Sequence, residues 1–326
     1  MYRDRASKLP DVTDEMWKEV NDDYTLLVDE YLAVENHSPQ TKKQYRSGLR
    51  QFGWYLYNSM NNKPLYKVTK RDFLRYMSYL RDDRKLSSSS LKFKKSAVSS
   101  LNNYIENTVA DDDDNYKSFR NFVRGLPSIP KNQVYKKEKI SRSEYEEMME
   151  VLRNDENYLG MAWLAVAFNT GARKSEIIQF KTEILDYDFP EENTFIYSHD
   201  IRLKGRSEDG KIDSYMINRE AFDYMKMWAD KRGYNHEYIF TTGNVDSPNQ
   251  MSSQWANHLC TEVLSDILGR RINPHLFKAS CVTHLLEEGI PLELVSRYVA
   301  HHESVATTIA HYDLRDFEEE KNKIFK

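Results

Sequence analysis

The chain has 326 residues, 40% of them hydrophobic and 30% charged, so it is long enough for two domains with solvated surfaces. No run approaches the roughly 18 apolar residues of a membrane span, and no apolar segment with a cleavage site follows the polar N-terminus. Cys260 and Cys281 form no metal-ligand pattern. These features favour a reduced, cytoplasmic protein without a membrane segment or a bound metal.

The net charge of −4 argues mildly against DNA binding, because contacts to phosphate require Lys and Arg. The charges are nevertheless segregated along the chain. Basic residues cluster at 42–43, 92–95, 131–139, 202–206 and 270–271, and acidic residues at 111–114, 144–150 and 316–320. This distribution is compatible either with one basic and one acidic face or with ordinary solvated helix faces.

The first 125 residues predict a polar lead-in, residues 1–19, followed by a small helical bundle, residues 20–125. Capping residues mark three helix starts, at Ser38-Pro39, at Thr69 and at the serines 87–90. Apolar residues recur at helical spacing after each start: Tyr45, Leu49, Phe52 and Leu56; Phe73, Met77 and Leu80; Leu91, Val98, Leu101 and Ile105.

Residues 126–139 contain two prolines and no periodicity, and they predict an interdomain linker. Residues 140–326 predict a second, mainly helical domain, with a tail at 313–326. Ser141 or Ser143 can cap its first helix, and further helices are expected at 158–169, 221–231, 253–268, 276–288 and 292–300. Strands are expected at 194–197 and 214–217, on either side of a polar stretch. The expected fold class is therefore mainly α with a small antiparallel β-sheet in the second domain.

The last fifty or so residues carry the strongest chemical signal. His275 opens a predicted helix, Lys278 follows one turn later on the same face, His301 and His302 end the next helix, and Tyr312 comes shortly after. Cations and imidazoles beside one phenol suggest phosphate-ester chemistry with tyrosine as the nucleophile.

Upstream, Arg173 lies at the predicted start of a helix, where an arginine can fork onto two phosphate oxygens and backbone N–H groups add to the anion site. Glu176, three residues later, could orient it.

These segments resemble the tyrosine recombinase (phage integrase) family, in its order and on its element types. Thr170-Gly171-Ala172-Arg173-Lys174-Ser175-Glu176 looks like the family's first arginine box, His275-Leu276-Phe277-Lys278 resembles its His-x-x-Arg box, and Ser304-Val305-Ala306-Thr307-Thr308 resembles the stretch before its tyrosine. The resemblance covers roughly residues 20–326. One departure is Lys278, which keeps the charge of the usual arginine but loses its planar bidentate fork.

The resemblance implies a role for each matching residue. Tyr312 would attack a scissile phosphate, with His275 as the base. Arg173 and Lys278 would stabilise the charge of the transition state together with one histidine of the pair at 301–302. In the family, a lysine in a β-hairpin protonates the leaving 5′ oxygen; Lys204 matches it, and Lys211 competes for the assignment.

The histidine of the pair is ambiguous. Aligning the preceding helix with the family's Leu-Gly-His selects His301, whereas counting back from Tyr312 selects His302, ten residues before the tyrosine. An insertion falls more easily in the loop after a helix than inside it, which favours His301.

The resemblance further implies a two-domain, C-shaped clamp around double-stranded DNA, which exchanges strands through a 3′-phosphotyrosine link and a Holliday junction without a cofactor or metal. The expected assembly is a homo-tetramer on two DNA sites, joined by the C-terminal tail through anchors such as Leu314, Phe317, Ile324 and Phe325, with DNA-bending or directionality factors as further partners. The candidate DNA-binding residues are Lys42, Lys43, Lys92, Lys94, Lys95, Arg202 and Arg206.

The expected type is a short-site recombinase, bacterial or phage-encoded, comparable to Xer- and Cre-type enzymes or to a compact phage integrase. Two alternatives stay open. A DNA-binding protein without catalysis on the same fold is favoured by Lys278 and the acidic net charge. A type IB topoisomerase-like enzyme would share the chemistry but relax supercoils without a specific site.

Overall fold

The computed structural model describes residues 9–130, 138–190, 192–203 and 211–315. These residues form two compact units, which we call the first unit (residues 9–130) and the second unit (the described residues from 138 onward). The division between them falls inside the segment 126–139. No helix of the described residues is both long and apolar enough to cross a bilayer.

The first unit is helical. Its helices are α1 Asp14–Lys18, α2 Asp22–Val34, α3 Pro39–Ser59, α4 Lys70–Ser78, α5 Ser88–Tyr104 and α6 Ala110–Asp112; wider π-helical turns, Tyr79–Asp83 and Ile105–Val109, extend α4 and α5. The expected caps are present, because the side chains of Ser38, Thr69 and Ser87 each accept a hydrogen bond from a backbone N–H of the first turn that follows.

An aromatic core holds these helices together, and it includes part of the expected lead-in. Trp17 of α1 is buried and lies edge-on to Tyr24, whose hydroxyl donates to Leu49 O at 2.9 Å. Helix α3 approaches closely because Gly53 has no side chain; a Cβ there would lie 2.6 Å from the Tyr24 ring. Part of the expected lead-in therefore belongs to the core. The sequence did not show this, because Trp17 and its neighbour Val20 are too few to give a periodic signal.

The second unit combines helices with three short strand pairs. Its helices are α7 Arg142–Asn154, α8 Tyr158–Thr170, α9 Lys174–Ile177, α10 Arg219–Lys231, α11 Ser253–His258, α12 Ser265–Ile267, α13 Pro274–Glu287, α14 Leu292–Leu294 and α15 Val305–His311. Leu259–Leu264 joins α11 to α12, and Val295–Val299 extends α14, both as π-helical turns. Ser141 caps α7 in a capping box with Glu144.

The insertion between α9 and α10 contains two nested antiparallel pairs. The expected strands, β1 Phe195–Tyr197 and β4 Met216–Asn218, pair with Ile196 opposite Ile217. Between them β2 Ile201–Leu203 pairs with β3 Lys211–Asp213, and a third pair, β5 Thr241–Asn244 with β6 Ser247–Gln250, follows α10. The fold class is confirmed as mainly helical with small antiparallel sheets, although the three-residue strands of the inner pair and the polar strands of the third pair gave no strand pattern.

Helix α8 forms the centre of the second core and is buried along nearly its whole length. Its Trp163 meets Phe277 of α13 edge-on, with ring centroids 5.5 Å apart. Helix α8 ends at Gly171, whose left-handed φ of +63° turns the chain directly into α9. This packing places the start of α9 beside the middle of α13, where the candidate site lies.

Candidate active site

Arg173 is the N-cap residue of α9, and Glu176 fixes it from the same turn. The Glu176 carboxylate accepts from the Arg173 backbone N–H at 2.7 Å and from Nη1 at 2.8 Å, and it also accepts from the Tyr215 hydroxyl. Glu176 is almost fully buried. Burial raises the pKa of its carboxyl, but Arg173 and Lys278 outweigh burial and hold the pKa below its ordinary value. The carboxylate is therefore charged, and it orients the guanidinium.

Lys278 lies inside the second unit, on α13. Its side chain is fully buried, and its Nζ has no hydrogen-bond partner among the described residues. Burial, and next the charge of Arg173, lower the pKa of Lys278 to about 7, while Glu176 opposes the shift. Two cationic side chains thus share one site with a single carboxylate between them.

His301 is held by the strands. Its Nδ1 lies 3.0 Å from Asp213 Oδ2 on β3, and its ring meets the Tyr215 ring edge-on at 4.5 Å. Its Nε2 is buried and has no partner in the described part of the chain. Burial lowers the pKa of His301, and Asp213 opposes the shift.

His302 faces the opposite way, towards Tyr312. Its Nδ1 lies 2.8 Å from Thr308 Oγ1, which donates in turn to Ser296 Oγ, so the histidine Nδ1–H is the donor to Thr308. The rings of His302 and Tyr312 have centroids 4.7 Å apart. Burial lowers the pKa of His302 to about 4, and the charges of Lys278 and Arg173 act in the same direction. Its Nε2 is also buried without a partner in the residues described.

Tyr312 follows the last turn of α15 and is half-buried. Its backbone N–H donates to Thr308 O at 2.9 Å, and its carbonyl accepts from Thr283 Oγ1 of α13 at 3.0 Å. Thr283 also accepts from the N–H of Leu314, which packs against the core of its own unit. The backbone around the phenol is thereby fixed to the helix that carries Lys278.

Backbone conformation distinguishes the two histidines. His301 has a left-handed φ of +54°, which is unfavourable for a residue with a Cβ and natural for glycine. In the family's Leu-Gly-His motif, glycine precedes the histidine. Matching His301 to the glycine of that motif places Ala300 at its leucine and His302, the residue beside Tyr312, at its histidine. The backbone geometry therefore favours this alignment.

The other expected catalytic residues are at least partly exposed or lie outside the described residues. His275 stands exposed on the first turn of α13, with its backbone N–H bonded to Asn273. Lys204 and Arg206 lie outside the described residues, as do Phe317, Ile324 and Phe325. Lys211 is partly exposed on β3 and pairs with Asp213 at 3.4 Å.

The remaining candidate DNA contacts divide into two groups. Lys43, Lys92 and Arg202 are exposed, and Lys42 is partly exposed. Two lysines of α5 instead make contacts within the first unit: Lys94 donates to Gln51, and Lys95 donates to the carbonyls of Leu126 and Pro127. Burial lowers the pKa of Lys94 to about 8. Both side chains thus satisfy acceptors of their own unit, and their contact with DNA stays a prediction.

Sequence reasoning missed the residues that support the site. These are Asp213, Tyr215, Thr283, Ser296 and Thr308, all of which bond to a candidate catalytic residue or to its partner. Thr308 was visible only as part of the stretch before Tyr312. The others lie in ordinary strand and helix patterns, which give no signal of a tertiary contact.

The site as a whole is suited to an anion. Lys278 Nζ, His301 Nε2 and His302 Nε2 are buried nitrogens without partners among the described residues. Arg173 lies near them, since its charge lowers the pKa of Lys278 and of His302, and the Tyr312 ring lies beside that of His302. Leaving such groups unsatisfied is unfavourable, and the oxygens of a phosphate would accept from the Lys278 ammonium and from each imidazole once its Nε2 is protonated. Within the described residues, no three His, Cys, Asp or Glu side chains are grouped as a metal site would require.

Comparisons with known proteins agree with this geometry. Residues 138–319 match the model of the phage integrase family, and residues 26–111 match its N-terminal SAM-like domain. The SPbeta prophage-derived recombinase-like protein YomM of Bacillus subtilis (strain 168) is 58% identical over all of this chain and 97% of its own length. Tyrosine recombinase XerC of Staphylococcus aureus (strain USA300 / TCH1516) is 23% identical over 83% of this chain and 85% of its own.

Solved structures show the same fold. The XerH site-specific recombinase in a post-cleavage complex with palindromic difH substrate superposes with a TM-score of 0.67 at 18% identity, over 88% of this chain and 80% of that one. The Tn1549 transposon integrase in complex with transposon right end DNA gives 0.67 at 15% identity, over 93% and 98%. On its family match and on its overall likeness to YomM, the chain belongs to the phage integrase family of tyrosine recombinases.

Proposed function

We propose that this protein is an active site-specific DNA recombinase of a mobile element, which cleaves and rejoins double-stranded DNA through Tyr312. The observation that carries the proposal is the group of three buried nitrogens, without partners among the described residues, near Arg173 and the phenol. A phosphodiester in this position would meet preorganised donors aimed at the charge that develops during attack. Support also comes from the relatives, one named as prophage-derived and one as a transposon integrase.

The reaction assigns a role to each side chain. The Tyr312 oxygen attacks phosphorus, the bond to the 5′ oxygen breaks, and a 3′-phosphotyrosine link forms. The phenol proton leaves to a base, for which His275 is the expected residue, and the 5′ oxygen takes a proton from Lys204. Arg173 and Lys278 stabilise the non-bridging oxygens, and His302 joins them once the phosphate's charge favours protonation of its Nε2. Attack of a 5′-hydroxyl from a second DNA on the link reverses these steps and exchanges the strands.

The partners follow from the same reaction. Exchange between two duplexes requires two DNA sites with four strands in all, and a homo-tetramer provides one tyrosine for each strand. Lys42, Lys43, Lys92 and Arg202 are the described basic residues that we propose to contact the DNA backbone. DNA-bending or directionality factors would act on this assembly, and the reaction would take place in the cytoplasm.

The decisive experiment traps the covalent link. The protein is incubated with the DNA that flanks its gene, nicked close to the candidate crossover, so that the short strand carrying the 5′-hydroxyl diffuses away and religation stops. We expect an SDS-resistant protein–DNA adduct with the unmodified chain and with Tyr298→Phe, which changes a partly exposed tyrosine outside the site, but none with Tyr312→Phe.

Tight site-specific binding without an adduct would overturn the proposal in favour of a binder without catalysis, an alternative that Lys278 favours. Relaxation of supercoiled DNA irrespective of sequence would favour a topoisomerase-like enzyme instead.

A further inference from the structure

His301 is held in a conformation that its own backbone disfavours. Its φ of +54° lies in the left-handed region, where a Cβ is strained. Residues kept in such conformations cluster at functional sites, because the surrounding structure must impose them. Here two neighbours impose it: the Asp213 carboxylate, 3.0 Å from Nδ1, and the Tyr215 ring.

These contacts direct the other ring nitrogen into the site. The side chain of His301 is 2% exposed, and its Nε2 has no partner among the described residues. Tyr215, against which the ring packs, donates to Glu176, and Glu176 holds Arg173. His301 is therefore connected through two residues to the arginine that would bind phosphate.

The charged groups around His301 come from several elements. Asp213, paired with Lys211, lies on β3; Glu176 lies on α9 and Lys278 on α13; His302 is the next residue in the chain. The carboxylates of Asp213 and Glu176 favour the protonated imidazole, whereas Lys278 disfavours it. A bound phosphate would add negative charge and would therefore favour protonation of Nε2.

Lys278 provides a reason for a second imidazole. An arginine in its position would offer two parallel donors to two phosphate oxygens, whereas an ammonium is a point charge. In the same site, His301 has a buried Nε2 that finds no partner in the part of the chain that the structure describes, and its backbone conformation suits glycine.

We propose that Asp213 and His301 form a carboxylate–imidazole pair that donates a second histidine hydrogen bond to the scissile phosphate, beside that of His302. His301 Nδ1–H donates to Asp213, and Nε2–H donates to a non-bridging oxygen. Asp213 is a positioning residue, which fixes the ring and favours its protonated form. This inference rests on the proposed function, because the phosphate is the one that Tyr312 attacks.

The test compares three substitutions at position 301, on the nicked duplex that gives the Tyr312-dependent adduct. His301→Asn keeps a donor for Asp213 and tolerates a positive φ, but it has no group at the Nε2 position. His301→Gly removes the side chain and relieves the backbone. His301→Gln can place an amide N–H near the Nε2 position.

We expect the single-turnover cleavage rate to fall about 10- to 100-fold in both His301→Asn and His301→Gly, and to recover in part in His301→Gln. The melting temperature of His301→Gly should equal or exceed that of the unmodified protein, because glycine relieves the strained backbone. The affinity for DNA should change less than about threefold, because the hydrogen bond to the phosphate strengthens in the transition state. If His301 only tethered β3, His301→Asn would cleave at the normal rate, and that result would overturn the inference.

Asp213→Asn provides a readout that a structural role would not affect. Removing the carboxylate lowers the pKa of the imidazolium, so the pH above which cleavage declines should move to a lower value. An unchanged pH profile would contradict the pair. Absence of an adduct with the unmodified protein would instead refute the proposed function, and the inference with it, whereas a normal adduct with His301→Gly would refute the inference alone.

Discussion

Replacing Lys278 with methionine should make the protein more stable and inactive. The ammonium is fully buried without a hydrogen-bond partner in the described chain, and its pKa falls from 10.5 to about 7. Since one pKa unit corresponds to about 1.4 kcal/mol, the charged form costs the folded state about 5 kcal/mol. Below pH 7 both the folded and the unfolded chain bind the proton, and the whole cost is present. Between pH 7 and 10.5 mainly the unfolded chain binds it, so stability rises with pH.

Calorimetry at two pH values measures this effect. Methionine fills a similar volume without a charge, and 1 kcal/mol corresponds to about 2–4 °C for a unit of this size. We therefore expect Lys278→Met to melt about 10–20 °C higher than the unmodified protein at pH 6, but only about 4–8 °C higher at pH 9, where about 2 kcal/mol of the cost remains. The control, Lys226→Met, alters an exposed lysine of α10 and should change the melting temperature little at either pH. A gain that is independent of pH, or a lower melting temperature, would refute the reasoning.

Two further substitutions test the supports of the site. Glu176→Gln should lower the free energy of unfolding by about 3–5 kcal/mol at pH 7, because it leaves Arg173 buried without its carboxylate and gives Tyr215 a weaker acceptor. Because folding lowers the pKa of Glu176, this loss of stability should shrink as the pH falls through that pKa. A loss below about 1 kcal/mol in calorimetry at pH 7 would contradict the assignment. Thr283→Val keeps the side-chain volume but removes the donor to the Tyr312 carbonyl. We expect the free energy of unfolding to fall by about 1–2 kcal/mol and the adduct to form more slowly, while DNA binding stays normal. An unchanged adduct rate would show that other contacts position the tyrosine.

The sequence predicted elements whose signals are local. Ser38, Thr69 and Ser141 begin helices as expected, because a cap and the turn after it lie within four residues. Strands β1 and β4 were recognised from their β-branched and aromatic residues. The pair β2–β3 between them was not, since each strand has only three residues and mixes apolar with charged side chains.

The site was predicted only in part, because its support comes from residues that are distant in sequence. The family resemblance placed Arg173, Lys278 and Tyr312 in one group, and the structure brings them together. Asp213 meets His301 across 88 residues, and no local pattern announces such a contact. The choice between the two histidines required a backbone angle, which composition and spacing do not contain.

Gly171 determines how much room the site has. A methyl group there would lie 3.2 Å from Cβ and 3.3 Å from Sγ of Cys281, and 3.7 Å from the Cα of Lys278 itself. The end of α8 therefore already touches α13, and the missing side chain at position 171 permits this close approach. Even the methyl group of alanine would press on the Cys281 side chain, and the positive φ of Gly171 adds backbone strain to any such change. The contact between the end of α8 and the helix that carries Lys278 thus depends on glycine at this position.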